Sequence, residues 1–403
     1  MIKPPRPLRL PLPMSSGLPI LPMQSAQITA RPQTSKFYPE RLLIKDAAHW
    51  KIDAIRVGNQ ASALVQDLPG EMFAPDAAGR FPGCGEIQIP QGGELIVQVT
   101  YTGRAKSGLP FEACVFGSDG QPPASTANRG VGKKIATMMS SDAIPFNKSV
   151  KLSTDPMEHD AWPCRLVIKD ASDWVVNDVC VGEVSIFVES GDVPGSMFSE
   201  DSNDGACAIC LGHLAAGDKL SVVARYVGTS DARLVYELYG TNIESEAADL
   251  AIASILPMST GVSIFPTHSA QITGRCHLRG VHGRGIGIGQ GFLSERIVVE
   301  RAADWIFNEI KIGCLSQFAQ SGDVPGMAFS PGILGGWVSF AVARAGIDVA
   351  FVTTYNGPRE DGDTFVGGIL GSLVDLADGD TAPGHERILT VRDLNRASAR
   401  GSR

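Results

Sequence analysis

No stretch of the 403 residues approaches the ~18–20 uninterrupted apolar residues of a membrane-spanning helix, which excludes that class of anchor. The first 22 residues carry Lys3, Arg6 and Arg9, but prolines at 4, 5, 7, 11, 13, 19 and 22 interrupt any helical apolar segment. A secretory signal needs such a segment, so no export signal is expected. Catalytic signatures are equally scarce. GxSxG, HExxH and CxxCH do not occur, and the alternating glycines of Gly283 to Gly291 match neither GxGxxG nor GxxxxGK[ST]. The acid pairs Glu158 with Asp160 and Glu360 with Asp361 lie in polar segments and do not recur, so no general acid–base couple stands out. No catalytic residue is assigned, and the chain is expected not to be an enzyme.

Metal-binding patterns are thin as well. Cys207-Ala-Ile-Cys210 with His213 comes nearest to a zinc motif, yet no second CxxC supplies the remaining ligands. The segment also reads as a strand, which sends residues 207 and 210 to opposite faces. Buried small hydrophobes are the favoured reading, and neither metal nor cofactor is expected. The eight cysteines follow no repeat: Cys180 corresponds to Arg56 and Lys311. That argues against a copied disulfide framework and for free thiols in a reducing cytoplasm.

What the chain does have is one sentence written three times. Arg41-Leu-Leu-Ile-Lys45 leads to Trp50, Arg165-Leu-Val-Ile-Lys169 to Trp174, and Arg296-Ile-Val-Val-Glu300 to Trp305. A glycine follows each Trp by 8 residues (Gly58, Gly182, Gly313). Then come Pro69-Gly70, Pro194-Gly195 and Pro325-Gly326, each preceded by an Asp, with Phe73, Phe198 and Phe329 just beyond. Tyr101, Tyr226 and Tyr355 close the unit in Tyr-x-Gly steps. The tryptophans are 124 and 131 residues apart. Short solenoid repeats run ~20–50 residues, so each copy is domain-sized and able to bury its own core.

Within a copy the hydrophobic period is two. Residues 26–30, 41–46, 50–59, 61–66, 85–89, 94–103 and 111–117 read as strands in the first copy. The expected fold is all-β: three tandem homologous β-sandwich domains of about seven to eight strands each. The boundaries are a basic Pro-rich arm at 1–24, sandwiches at 25–117, 135–243 and 255–375, linkers at 118–134 and 244–254, and a basic tail at 376–403 with a short amphipathic helix over 386–399. Each Trp is expected to plug a sheet corner. Each Pro-Gly suits a type II turn with glycine at positive φ, its Asp accepting backbone N–H groups. Trp162 and Trp337 stand outside the repeat.

Charge is uneven. Net charge is −8, while residues 1–34 hold four basic groups and no acid, and 383–403 hold five arginines against two acids. Lys3, Arg6, Arg9, Arg392, Arg396 and Arg400 are therefore candidate assembly contacts on an acidic body. Three roles are open to these ends: docking on a neighbouring subunit, weak contact with nucleic acid, or solubilising tails. The glycine-rich insertion at 276–291 reads as a long loop ordered by a neighbour.

Tandem β-sandwiches with basic arms and no catalytic motif resemble viral capsid and coat proteins of the jelly-roll type. The resemblance is one of architecture and covers all three copies. It implies a self-assembling virion component whose partners are itself, as a homo-oligomeric shell or lattice, and other virion proteins. Three similar sandwiches could imitate a trimer about a pseudo-threefold axis, or form a straight row suited to a spike or decoration protein. A multivalent carbohydrate- or surface-binding array is the alternative, and it predicts exposed aromatics at one loop position of every copy. An enzyme with a site between domains is a third class.

Overall fold

The computed structural model describes every residue except 1–8, 59–64, 75–80, 82–86, 121–132, 201–208, 248–250, 278–285, 287–288, 332–339, 377–386 and 389–403. The fold is all-β, with six sheets that are antiparallel except for one short parallel step.

Copy 1 contributes β1 (Arg9–Ile20), β2 (Ser25–Ala30), β3 (Lys36–Ile44), β4 (Trp50–Val57), β5 (Val65–Pro69), β6 (Ile89–Pro90), β7 (Leu95–Tyr101) and β8 (Leu109–Ser118). They form two four-stranded sheets, β1-β8-β3-β6 and β2-β7-β4-β5. β7 shows why: Leu95, Val97, Val99 and Tyr101 are buried, and the residues between them face outward. That is the alternation of a half-buried strand.

Copy 2 contributes β9 (Lys133–Met139), β10 (Ser149–Ser153), β11 (Trp162–Ile168), β12 (Trp174–Val181), β13 (Val184–Ser185), β14 (Val193–Pro194), β15 (Ile209–Cys210), β16 (Leu220–Tyr226) and β17 (Val235–Thr241). Its sheets run β9-β17-β11 and β10-β16-β12-β13, with β14 also on β12. The short helix α1 (Glu244–Ala247), with acids in its first turn, leads to copy 3.

Copy 3 contributes β18 (Ala251–Ile264), β19 (Ser269–Arg275), β20 (Gln290–Val299), β21 (Trp305–Ile312), β22 (Leu315–Ser316), β23 (Val324–Pro325), β24 (Ala343–Arg344), β25 (Asp348–Tyr355), β26 (Asp363–Asp375) and β27 (Arg387–Ile388). Here β18-β26-β20-β24 faces β19-β25-β21-β22, with β23 on β21 and β27 on β26. β15 of copy 2 adds to the β18 edge by the parallel step.

Each copy bends at the same two places. The register shifts before the repeated arginine, at Pro39/Arg41, Pro163/Arg165 and Ser294/Arg296, and again at Ile52/Ala54, Val176/Asp178 and Phe307/Glu309. Such bulges bend a strand and sharpen its twist, which lets two sheets wrap one core.

Three expectations are corrected here. Residues 9–20, read as arm, are the paired strand β1. Proline is tolerated at a sheet edge where no ladder N–H is needed, so a Pro-rich edge strand hides among arm-like residues. Second, the cores are not one per copy. Among the described residues one apolar cluster runs through copies 1 and 3 and takes in Val188 of copy 2, a second holds copy 2 with Ala251, Ala253, Ile255, Val298 and Leu370 of copy 3, and a small third joins Trp162 to Ala247. Third, Arg387–Ile388, placed in a tail helix, pairs with β26, and the rest of that helix lies outside the described residues.

Candidate assembly interfaces

The repeated landmarks build each copy's corner. Trp50, Trp174 and Trp305 are buried, and their rings lie 5.1, 4.9 and 5.0 Å from those of Tyr101, Tyr226 and Tyr355. Each Tyr ring folds over its own Tyr-x-Gly glycine, where a Cβ on Gly103, Gly228 or Gly357 would meet the tyrosine side chain within 2.6 Å. The residue opening each corner, Asp46, Asp170 or Arg301, sits in the left-handed region at φ 51, 48 and 48. Burial lowers the Arg41 and Arg296 guanidinium pKa values to about 10. Arg165 donates from Nη2 to the Glu200 carbonyl at 2.7 Å, tying the strand to the segment beyond the Pro-Gly step.

The Pro-Gly pairs are not type II turns. Gly70, Gly195 and Gly326 begin 3-10 turns (Gly70–Phe73, Gly195–Phe198 and Gly326–Phe329), and none has positive φ. Glycine is required there by contact. A Cβ would lie 2.4, 2.4 and 2.3 Å from the carbonyl oxygens of Ala47, Ala171 and Ala302. The preceding aspartates bind side chains across the sheet. Asn177 Nδ2 donates to Asp192 at 2.5 Å and Asn308 Nδ2 to Asp323 at 2.8 Å, both from bulge positions, while Lys51 reaches Asp67 at 2.6 Å.

Between bulge and Pro-Gly lies the segment that joins copies. Residues 187–191 of copy 2, between β13 and β14, leave their own sheet and run along the free edge of β18. Val188 N–H donates to the Ile255 carbonyl at 2.8 Å, and Ile255 N–H to the Ile186 carbonyl at 2.9 Å. Glu189 Oε2 accepts from Arg275 N–H at 2.6 Å. Gly191 packs so closely that a Cβ would stand 2.7 Å from Pro257.

The same contact recurs one copy further on. Residues 318–322 of copy 3, between β22 and β23, run along the free edge of β1, and Ala319 N–H donates to the Pro11 carbonyl at 2.9 Å. Gln320 Oε1 accepts from Arg31 N–H at 2.5 Å. A Cβ on Gly322 would lie 3.0 Å from Pro13, and Phe329 meets Phe116 edge-on at 6.0 Å. These are matching residues: Val188 with Ala319, Glu189 with Gln320, Gly191 with Gly322, Ile255 with Pro11, Pro257 with Pro13. Both joints are apolar at the centre, with Phe187, Val188, Phe318 and Ala319 buried. Copies are thus joined in the order 2, 3, 1.

The joint between copies 2 and 3 also encloses a cleft of about 260 Å³, bounded by Ser172, Pro194 and Ser196 on one side and Glu300, Arg301 and Pro331 on the other. Burial raises the Glu300 carboxyl above its usual range, against the pull of Arg301, Arg225 and Arg359. Arg301 is committed to Asp363 at 2.7 Å, and Glu300 is the one carboxyl among the lining residues.

Other candidates are dispersed. His213 stacks on buried Trp162 with centroids 4.9 Å apart. Cys210 lies in β15, Cys207 lies outside the described residues, and among the described residues no group of three His, Cys, Asp or Glu could hold a metal. Arg9 pairs with Glu40 of its own copy at 2.9 Å. Lys3, Arg6, Arg392, Arg396, Arg400 and Trp337 lie outside the described residues, as does most of the 276–291 insertion. No helix among the described residues is long and apolar enough to cross a membrane. The sequence carries a signal for the joints: Phe187 and Phe318 each stand 5 residues before the aspartate and Ser-Gly just before it, a pattern missing from copy 1. The chain matches no known family model and no curated protein.

Proposed function

We propose that this chain is a non-enzymatic, self-assembling structural protein, a virion capsid or coat component built from three jelly-roll modules. In copy 1 the first, eighth, third and sixth strands form one sheet and the second, seventh, fourth and fifth the other, an order that supports the jelly-roll reading; copy 3 matches it with β18-β26-β20-β24 and β19-β25-β21-β22. The observation that carries the function is the twice-made joint: one segment docking on one edge strand at matching residues. One contact repeated head to tail within the chain joins its modules into a multi-module subunit, which supports the reading of a building block. In this reading the partners are further copies of the chain and other virion proteins, and the basic ends reach neighbouring subunits. Electron microscopy of the purified chain tests it. Closed shells, sheets or filaments support the reading, and a monomer at every concentration sinks it. Because β1 begins at Arg9, the arm to delete is residues 1–8.

A second reading, a multivalent surface-binding or decoration protein, is favoured by one observation. The turns after β1, before β10 and after β18 are equivalent, with Met23, Asn147 and Thr267 at φ 62, 58 and 62. They expose Leu18, Leu21 and Met23, then Phe146, then Val262 and Phe265. Apolar tips repeated on all three copies suit a shared surface. Replacing Leu18, Phe146 and Val262 with Ser should abolish binding to particles or glycans under that reading and leave assembly intact.

A further inference from the structure

Three copies offer three docking segments and three edge strands, yet only two joints are made among the described residues. Copies 2 and 3 dock through Ser-x-Phe-x-x-Ser-Gly-Asp, at Ser185 to Asp192 and Ser316 to Asp323. Copy 1 has neither the Phe nor the Ser-Gly. The residues matching Ile186 to Glu189 lie outside the described residues; just beyond them β5 pairs with β4 at four positions, Val65 through Pro69, whereas β14 and β23 pair at only two.

The acceptor side differs in the same sense. β1 and β18 offer Leu10-Pro11-Leu12-Pro13-Met14 and Ser254-Ile255-Leu256-Pro257-Met258, and both edges are buried by the docked segment. β9 carries Lys133 and Lys134 instead, both exposed. Lys134 occupies the Ile255 position, since each faces the same place on its partner strand (Tyr239 of β17 and Leu370 of β26). Its ammonium is held by Glu237 at 2.7 Å and lies over the Tyr239 ring. Covering that edge would strip water from an ion pair. Lysine on an edge strand is a standard bar to strand addition.

We infer that the Ser-x-Phe-x-x-Ser-Gly-Asp segment is a directional connector for the apolar first strand of another copy of this module, and that the chain is closed to further use of it. Copy 1 has no connector and copy 2 has no receptive edge, so the row 2-3-1 is self-limiting. Contacts between chains then use other surfaces; that second half rests on the assembly reading, and the joint itself does not.

Hydrogen exchange of the full chain, dispersed and in any assembled form, tests this. Outward amides of β9 should exchange roughly a hundredfold or more faster than the Ile255 amide in both forms. Protection of β9 in assembled material would overturn the inference while upholding assembly. A chain that never assembles but keeps β9 open would sink the assembly reading and leave the connector standing. A gain-of-function variant adds a second readout. Lys133→Leu with Lys134→Pro, or the Glu183–Gly191 sequence in place of 59–66, should each leave the sedimentation coefficient unchanged. Both together should produce head-to-tail oligomers, and a folded double variant that sediments as before would also overturn the inference.

Discussion

Gly195 is held by what surrounds it. Its position beside the Ala171 and Trp174 carbonyls leaves no room for a methyl group, and Gly70 and Gly326 are in the same straits. Gly195→Ala should therefore cost about 1–3 kcal/mol in chemical denaturation. Gly261→Ala, with nothing within 4 Å of its Cβ and no positive φ, should stay within about 0.5 kcal/mol. Two acids make opposite predictions with pH. Hydrogen bonds from Lys134 and Tyr239 lower Glu237 from 4.5 to about 2. A depressed carboxylate stabilises above its ordinary value and loses that as pH falls, so Glu237→Gln should flatten the stability curve between 4.5 and about 2. Burial raises Glu300, so its penalty grows as pH rises past 4.5, and Glu300→Gln should stabilise at neutral pH relative to acid. Urea midpoints across pH read both. An unchanged curve in either variant would remove the ion-pair or burial account of that residue.

At the scale of elements, the central strands were legible because their side chains alternate. β4, β7 and β8 lie where the period-two pattern puts them. β1 was not legible. Its prolines argue against a strand until one sees that Pro11 presents only its carbonyl to the joint and has no N–H to lose. The Pro-Gly steps were readable as punctuation, but the reason for the glycine was a tertiary contact that spacing does not record. The joints were missed because they sit inside the shared part of the repeat, at a position where two copies agree and the third departs. Phe187 anchors the first of them. Phe187→Ala should cost about 3–5 kcal/mol and unprotect the Ile255 amide before the rest of β18. Exchange of Ile255 that matched the wild type would show that the phenylalanine does not hold the joint.

For the whole molecule, the repeat describes a row of similar modules whose spatial order, 2-3-1, differs from their order in the chain. Copies 1 and 3 share one apolar core and copy 2 leans on copy 3, so the assembly proposal concerns the full chain and no single copy. The recurring joint is what supports the proposed role of a structural brick. Sedimentation velocity of the full chain over a hundredfold dilution series tests that most directly. The account predicts large species that dissociate to the 42.6 kDa chain on dilution. A single 42.6 kDa species at every concentration would contradict it.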